Sequence, residues 1–171
     1  MRVVINDANI LIDLAKLELL KVFSKIDFDL QTTDFIIEEL NQEQRIPVQK
    51  LINGGKLTVI ETQDISDFEA ISSLLSKSNG LSFEDCSVWY YSRKLSGALL
   101  TGDGKLRKQA AKDGLEVRGI LFIFDELLKQ KLIGFKVAIE KITTLYQINN
   151  RLPKKEIDKC IKSWGEEKYV D

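Results

Sequence analysis

The 171-residue chain contains no histidine. That absence removes nucleophile schemes built on Ser-His-Asp or Cys-His, general acid–base catalysis by imidazole, and most zinc sites. Cysteine is scarce too. Cys86 and Cys160 stand far apart in the sequence, which offers no disulfide framework and leads us to expect a reducing, cytoplasmic setting. No apolar run approaches the roughly 18 residues that span a bilayer, so no membrane is expected. The first residues hold one arginine, an early aspartate and no small-residue cleavage site, which argues against a secretory signal. Excess positive charge is missing as well: 25 Lys and Arg face 26 Asp and Glu, a formal charge of −1. Any nucleic acid must therefore be held by a local patch or through a partner. Catalysis is left to carboxylates, lysines, hydroxyls or a metal.

What is present is ordinary for a soluble globular protein, with 44% apolar and 30% charged residues. Short apolar strands alternate with amphipathic helices. Residues 2–6 (RVVIN) read as a buried strand. Residues 9–20 read as a helix with apolar steps of three and four at Ile10, Leu11, Leu14, Leu17 and Leu20. A strand over 28–32 precedes a helix capped by Thr33 or Asp34. A short helix over 45–52 holds Pro47 in its first turn, and 57–62 reads as a strand. A capping box from Ser66 to Glu69 opens a helix over 66–78, and Ser82 caps the next, with Asp85 at the reciprocal position. Residues 97–101 (GALLT) form a strand, 105–113 a helix and 115–118 a last strand. Helices over 120–130, 135–148 and 153–164 follow. The alternation predicts an α/β fold, a three-layer sandwich whose central parallel sheet of about five strands is flanked by helices.

In open parallel sheets, sites form beyond the carboxyl ends of the strands. Asp7 stands at such an end after VVIN, and Asp103 after ALLTG. Each also has a structural reading, Asp7 as a helix cap and Asp103 as a turn residue between two glycines. Glu39 in IIEEL flanks the apolar face of its helix. Asp85 in SFEDCSVWYY lies in a first helical turn, where the helix dipole alone would favour it. If the four converge, their repulsion requires a counter-charge. Hard cations such as Mg²⁺ or Mn²⁺ prefer oxygen ligands, polarise a phosphate oxygen and lower the pKa of a bound water. That chemistry needs no histidine.

At these residues the chain resembles the PIN domain family of metal-dependent ribonucleases. Three stretches carry the resemblance: VVINDANILIDLAKLELL, FIIEEL, and LSFEDCSVWYYSRKLSGALLTGDGKLRKQAAKDGLEV, followed by GILFIFDELLKQKLI. Asp7 and Asn9 fit the acid after the first strand and the small polar residue two positions on. Glu39 fits the glutamate that directly precedes leucine. Asp85, Thr101 and Asp103 fit the later acids and the hydroxyl near the metal. The resemblance implies a PIN-like nuclease domain over residues 1–134 and a helical extension over 135–171 packed on it. It implies that Asp7, Glu39, Asp85 and Asp103 are catalytic and hold Mg²⁺ or Mn²⁺, with Asn9 and Thr101 orienting ligands behind them. It further implies an RNA substrate, a homodimer and, for toxin-like members, a small antitoxin partner.

Lys105, Arg107 and Lys108 follow Asp103 on one helix and read either as a phosphate-binding patch or as a solvated face. Trp89, Tyr90 and Tyr91 read as packing residues or as base-stacking ones. The tail lysines, interleaved with Glu156 and Asp158, read as a solvated face. Two rival functions remain open. One is a binding or regulatory module whose acids fail to meet. The other is an aspartate-nucleophile phosphohydrolase or phosphoacceptor, although the second Asp it wants two residues on is here Asn9.

Overall fold

The computed structural model describes residues 1–168. Five strands, β1 (Arg2–Asn6), β2 (Phe28–Thr33), β3 (Thr58–Ile60), β4 (Ala98–Leu100) and β5 (Val117–Arg118), form one parallel sheet in the order β3-β2-β1-β4-β5. Val4, Ile5, Leu99 and Leu100 are fully buried, as continuous apolar runs in a sheet covered on both faces must be. Helices α1 (Ala8–Lys16), α2 (Leu20–Phe23) and α4 (Gln42–Asn53) pack together as one layer, and α5 (Ile65–Lys77), α6 (Phe83–Lys94) and α7 (Gly104–Lys112) as the other. Helix α3 (Asp34–Glu39) touches both α1 and α6. The chain steps outward from β1 to β3 and then returns to place β4 on the other side of β1. The carboxyl ends of β1 and β4 therefore flank a topological switch point, where doubly wound sheets open a crevice.

Beyond the sheet come α8 (Ile120–Lys129), α9 (Phe135–Ile148), α10 (Lys154–Ser163) and a π-helical turn at Trp164–Lys168. Ile142, Leu145, Ile157 and Trp164 join the buried core. The Trp164 ring stacks on Phe124, and its indole donates to Asp125 at 2.6 Å.

Three local expectations are corrected. The helix expected over 9–20 breaks after Lys16, and Glu18 adopts a left-handed φ of 56°. Leu17, Leu19 and Leu20 are all buried. A continuous helix would turn Leu19 about 200° away from Leu17, so the break brings both inward. Helix α4 begins at Gln42, because Asn41 and Gln44 form a reciprocal capping box upstream of the expected start. Pro47 is therefore inside the helix and not in its first turn. The capping box expected at Ser66 does not form: α5 starts one residue earlier, with Asp64 at its cap and no side-chain bond. Among the described residues, no helix is long and apolar enough to cross a membrane.

Candidate metal centre

Asp7 leaves the sheet where β1 ends, and its backbone N–H donates to the Leu100 carbonyl of β4 at 2.9 Å. Its side chain is 2% exposed. One carboxylate oxygen caps α1 by accepting from the Ala8 N–H at 2.8 Å. The other accepts from the Thr101 hydroxyl at 2.6 Å and the Asn9 amide at 2.9 Å. Asn9 in turn accepts from the Gly102 N–H at 2.7 Å. A Cβ at Gly102 would stand 3.2 Å from the same Asn9 oxygen, a tight contact that would press on Asn9. Asn9 and Thr101 thus brace Asp7 from the two strand ends that flank the crevice.

Asp103 caps α7 through the Leu106 N–H at 2.8 Å, while its own N–H donates to the Thr101 hydroxyl at 3.0 Å. Asp85 and Ser82 form the expected capping box at α6, so one Asp85 oxygen accepts from the Ser82 N–H at 2.9 Å. Glu39 is the last residue of α3 and is exposed. Two contacts fix that short helix. Thr33 caps its start and shares a 2.8 Å hydrogen bond with Ser87 of α6. Arg45 reaches back to its last carbonyls, at 3.1 Å from Ile37, 3.0 Å from Glu38 and 3.0 Å from Leu40. A guanidinium at a helix C-terminus also opposes the helix dipole. Neither Arg45 nor Ser87 was identifiable from the sequence, because each acts on a neighbour across the fold.

The electrostatics join the acids. Burial raises the Asp7 carboxyl to about 6, with Asp85 and Asp103 adding to the rise and hydrogen bonds from Thr101 and Ala8 opposing it. Partial burial also raises Glu39, and Asp7, Glu84 and Asp85 push it further. The charged neighbours that chiefly shift Asp7 and Glu39 are carboxylates. Asp85 is among the chief neighbours of both Asp7 and Glu39, and Glu84 among those of Glu39. The donor set is hard oxygen in surplus negative charge, and it fits a divalent cation. As placed, however, no group of three acids among the described residues stands close enough to hold one. Glu39 is exposed, and Asp85 and Asp103 each use only one oxygen in their caps.

The basic helix spreads its charges in different directions. The Lys105 ammonium lies against Gly80, Arg107 donates to the Thr101 carbonyl at 2.9 Å, and Lys108 is exposed. Trp89 and Tyr91 are buried, and Tyr90 and Tyr91 both donate to Asp67.

A family model for a PIN domain matches residues 3–166. No curated protein matches the chain. Among solved structures it is similar to VapBC-1 from nontypeable Haemophilus influenzae, at 18% identity over 68% of this chain and 97% of that one, with a TM-score of 0.49. It is also similar to VapBC2 from Rickettsia felis bound to a DNA fragment from their promoter, at 14% identity, 68% and 98% coverage and a TM-score of 0.47. For FitAcB from Neisseria gonorrhoeae the corresponding values are 13%, 67%, 95% and 0.40.

Proposed function

The chain belongs to the PIN domain family, and from that premise we propose that it is a Mg²⁺- or Mn²⁺-dependent endoribonuclease that hydrolyses RNA phosphodiester bonds. The observation that carries this reading is the electrostatic one: Asp7 and Glu39 are both raised, by burial first and then by the neighbouring carboxylates. A divalent cation bound there would offset that repulsion, polarise a phosphate oxygen and acidify a water ligand. Asp7, Glu39, Asp85 and Asp103 are its proposed holders. Asn9 and Thr101 keep Asp7 in one orientation, which fixes where a phosphate meets the acids. Asp85 and Asp103 each spend one oxygen on a helix cap, which leaves the other for a cation.

The test is cleavage of short RNA by the purified chain with Mn²⁺ or Mg²⁺. We expect product with metal and none in EDTA or in the Asp7→Asn/Asp103→Asn variant. Activity that persists in either case would sink the mechanism. A second reading is favoured by one observation, the lack of a closed group of three acids as placed: a non-catalytic binding or regulatory module. Metal-independent RNA binding with no cleavage under any of these conditions would select it.

The finer biology extends the proposal. We take the chain to be a cytoplasmic homodimer and the toxin of a toxin–antitoxin pair, restrained by a small antitoxin. Growth arrest on expression, relieved by co-expression of a small adjacent gene, is the expected outcome. Growth unaffected by an active nuclease would remove the toxin role while leaving the enzyme.

A further inference from the structure

A groove of about 1030 Å³ leads away from the acid site. Asn9, Gly102 and Asp103 of the acid site line it, and so do Ile148 of α9 and the turn that follows, residues 149–153. Three arginines from three separate elements line the same groove: Arg107 of α7, Arg118 of β5 and Arg151 of that turn. We infer that this groove is the track for one strand of nucleic acid, with Arg107, Arg118 and Arg151 holding phosphates to one side of the bond presented to the acids. The inference rests on the nuclease reading above and adds where the strand runs.

Two of the three guanidiniums are already positioned. Arg107 is tied to the Thr101 carbonyl at 2.9 Å, and Gly119 leaves the space its guanidinium occupies, since a Cβ there would collide with it. Arg118 is held by Glu116 at 3.0 Å and lies 5.5 Å from the centroid of the Phe122 ring. An arginine carries five N–H donors, so both keep several for the paired contacts that phosphates favour. Arg107 and Arg151 have no carboxylate at ion-pairing distance among the described residues. Four acids line the groove as well: Asp103 belongs to the acid site, Asp125 accepts the Trp164 indole at 2.6 Å, Asp13 sits in the field of Lys16, and Glu156 lies exposed in the first turn of α10.

The size selects the occupant. The volume matches the upper range of pockets that enclose small ligands, roughly 1,000 Å³, which leaves room for a few nucleotides of one strand and not for a duplex. Point contacts from placed arginines also suit a chain whose net charge of −1 provides no general attraction for a polyanion.

The test measures binding of a 5′-fluorescein oligouridine 12-mer to the whole chain by anisotropy, in Ca²⁺ and across a salt series. Arg118→Ala/Arg151→Ala changes exposed side chains. It should weaken binding about tenfold and make the salt slope shallower by about 1.4, roughly 0.7 per lost phosphate contact. Lys154→Ala/Lys155→Ala, outside the groove, should bind within about twofold of wild type. Wild-type binding that the arginine variant retains in full overturns the groove and leaves the nuclease reading intact. Retained RNA binding together with lost association of a protein partner assigns the groove to that partner and overturns the inference too. A wild-type chain that neither binds nor cleaves RNA overturns both.

Discussion

The Thr101 hydroxyl donates to the Asp7 carboxylate at 2.6 Å across 94 positions of sequence. The sheet register produces this contact. Asn6 pairs with Leu100 in parallel strands β1 and β4, so the next residue of each chain leaves the sheet beside the other. The same hydroxyl accepts from the Asp103 N–H, and the Thr101 carbonyl accepts from Arg107. One buried threonine thus connects two candidate metal holders with Arg107 of the groove.

Replacing Thr101 by valine keeps the shape and removes the donor. The hydrogen bond from Thr101 lowers the Asp7 carboxyl against the effect of burial, so Asp7 should rise beyond about 6. If Asp7 acts as a carboxylate, the acid limb of the Mn²⁺-supported rate profile moves to higher pH, by about one unit for one hydrogen bond of about 1.4 kcal/mol. Thr101→Ser should restore the profile. A Thr101→Val enzyme with the wild-type pH profile would contradict this link.

Asp7 itself should cost stability in EDTA at neutral pH. A carboxyl whose folded pKa lies above its unfolded value binds its proton more tightly in the native state. Stability is therefore favoured below the unfolded value near 3.9, declines as pH rises between there and about 6, and the full cost remains above. Asp7→Asn should then be more stable than wild type at pH 7.5, by as much as about 3 kcal/mol, with the gap closing by pH 4. Mn²⁺ should raise the wild-type melting temperature and leave the variant unmoved. Equal denaturation midpoints for the two proteins at pH 7.5 in EDTA would disprove the claim.

The features legible in the sequence are those that local chemistry decides. The Ser82–Asp85 capping box, helix 135–148 and the strand-end positions of Asp7 and Asp103 could all be read from neighbouring residues. The break at Glu18 could not, because it depends on what Leu19 meets in the core. The same holds for Arg45, which secures a helix it does not belong to, and for the groove, whose three arginines come together only when the sheet edge and the α9–α10 turn are in place. Lys105 shows the converse: two residues from Asp103 in sequence, it points to Gly80.

The helices after residue 134 should unfold together with the sheet. Trp164 is 1% exposed, stacks on Phe124 and donates to Asp125. Trp164→Ala should cost about 3–5 kcal/mol, with tryptophan fluorescence in Trp164→Phe and far-ultraviolet circular dichroism sharing one transition. A separate early transition for the C-terminal helices would show that they fold apart from the rest.

Asp67 should bind α5 to α6 in a pH-dependent way. It is 7% exposed and accepts hydrogen bonds from Lys94 at 2.6 and 2.7 Å, from Tyr90 at 2.5 Å and from Tyr91 at 3.2 Å. The bonds from Lys94 and then Tyr90 hold its carboxyl below the ordinary range. A depressed carboxyl stabilises the fold above the unfolded pKa near 3.9 and loses that contribution as pH falls through the folded value. Lys94 is raised, chiefly by its hydrogen bond to Asp67, so its share is present below an unfolded pKa near 10.4 and lost as pH climbs through the folded one. Asp67→Asn should therefore destabilise the protein at pH 7 by about 1–3 kcal/mol, the usual effect of weakening a buried hydrogen-bond network. Its urea midpoint should converge on that of wild type as pH falls through the depressed folded value. A difference that stays constant throughout the acid range would assign the loss to packing and not to the charge on Asp67.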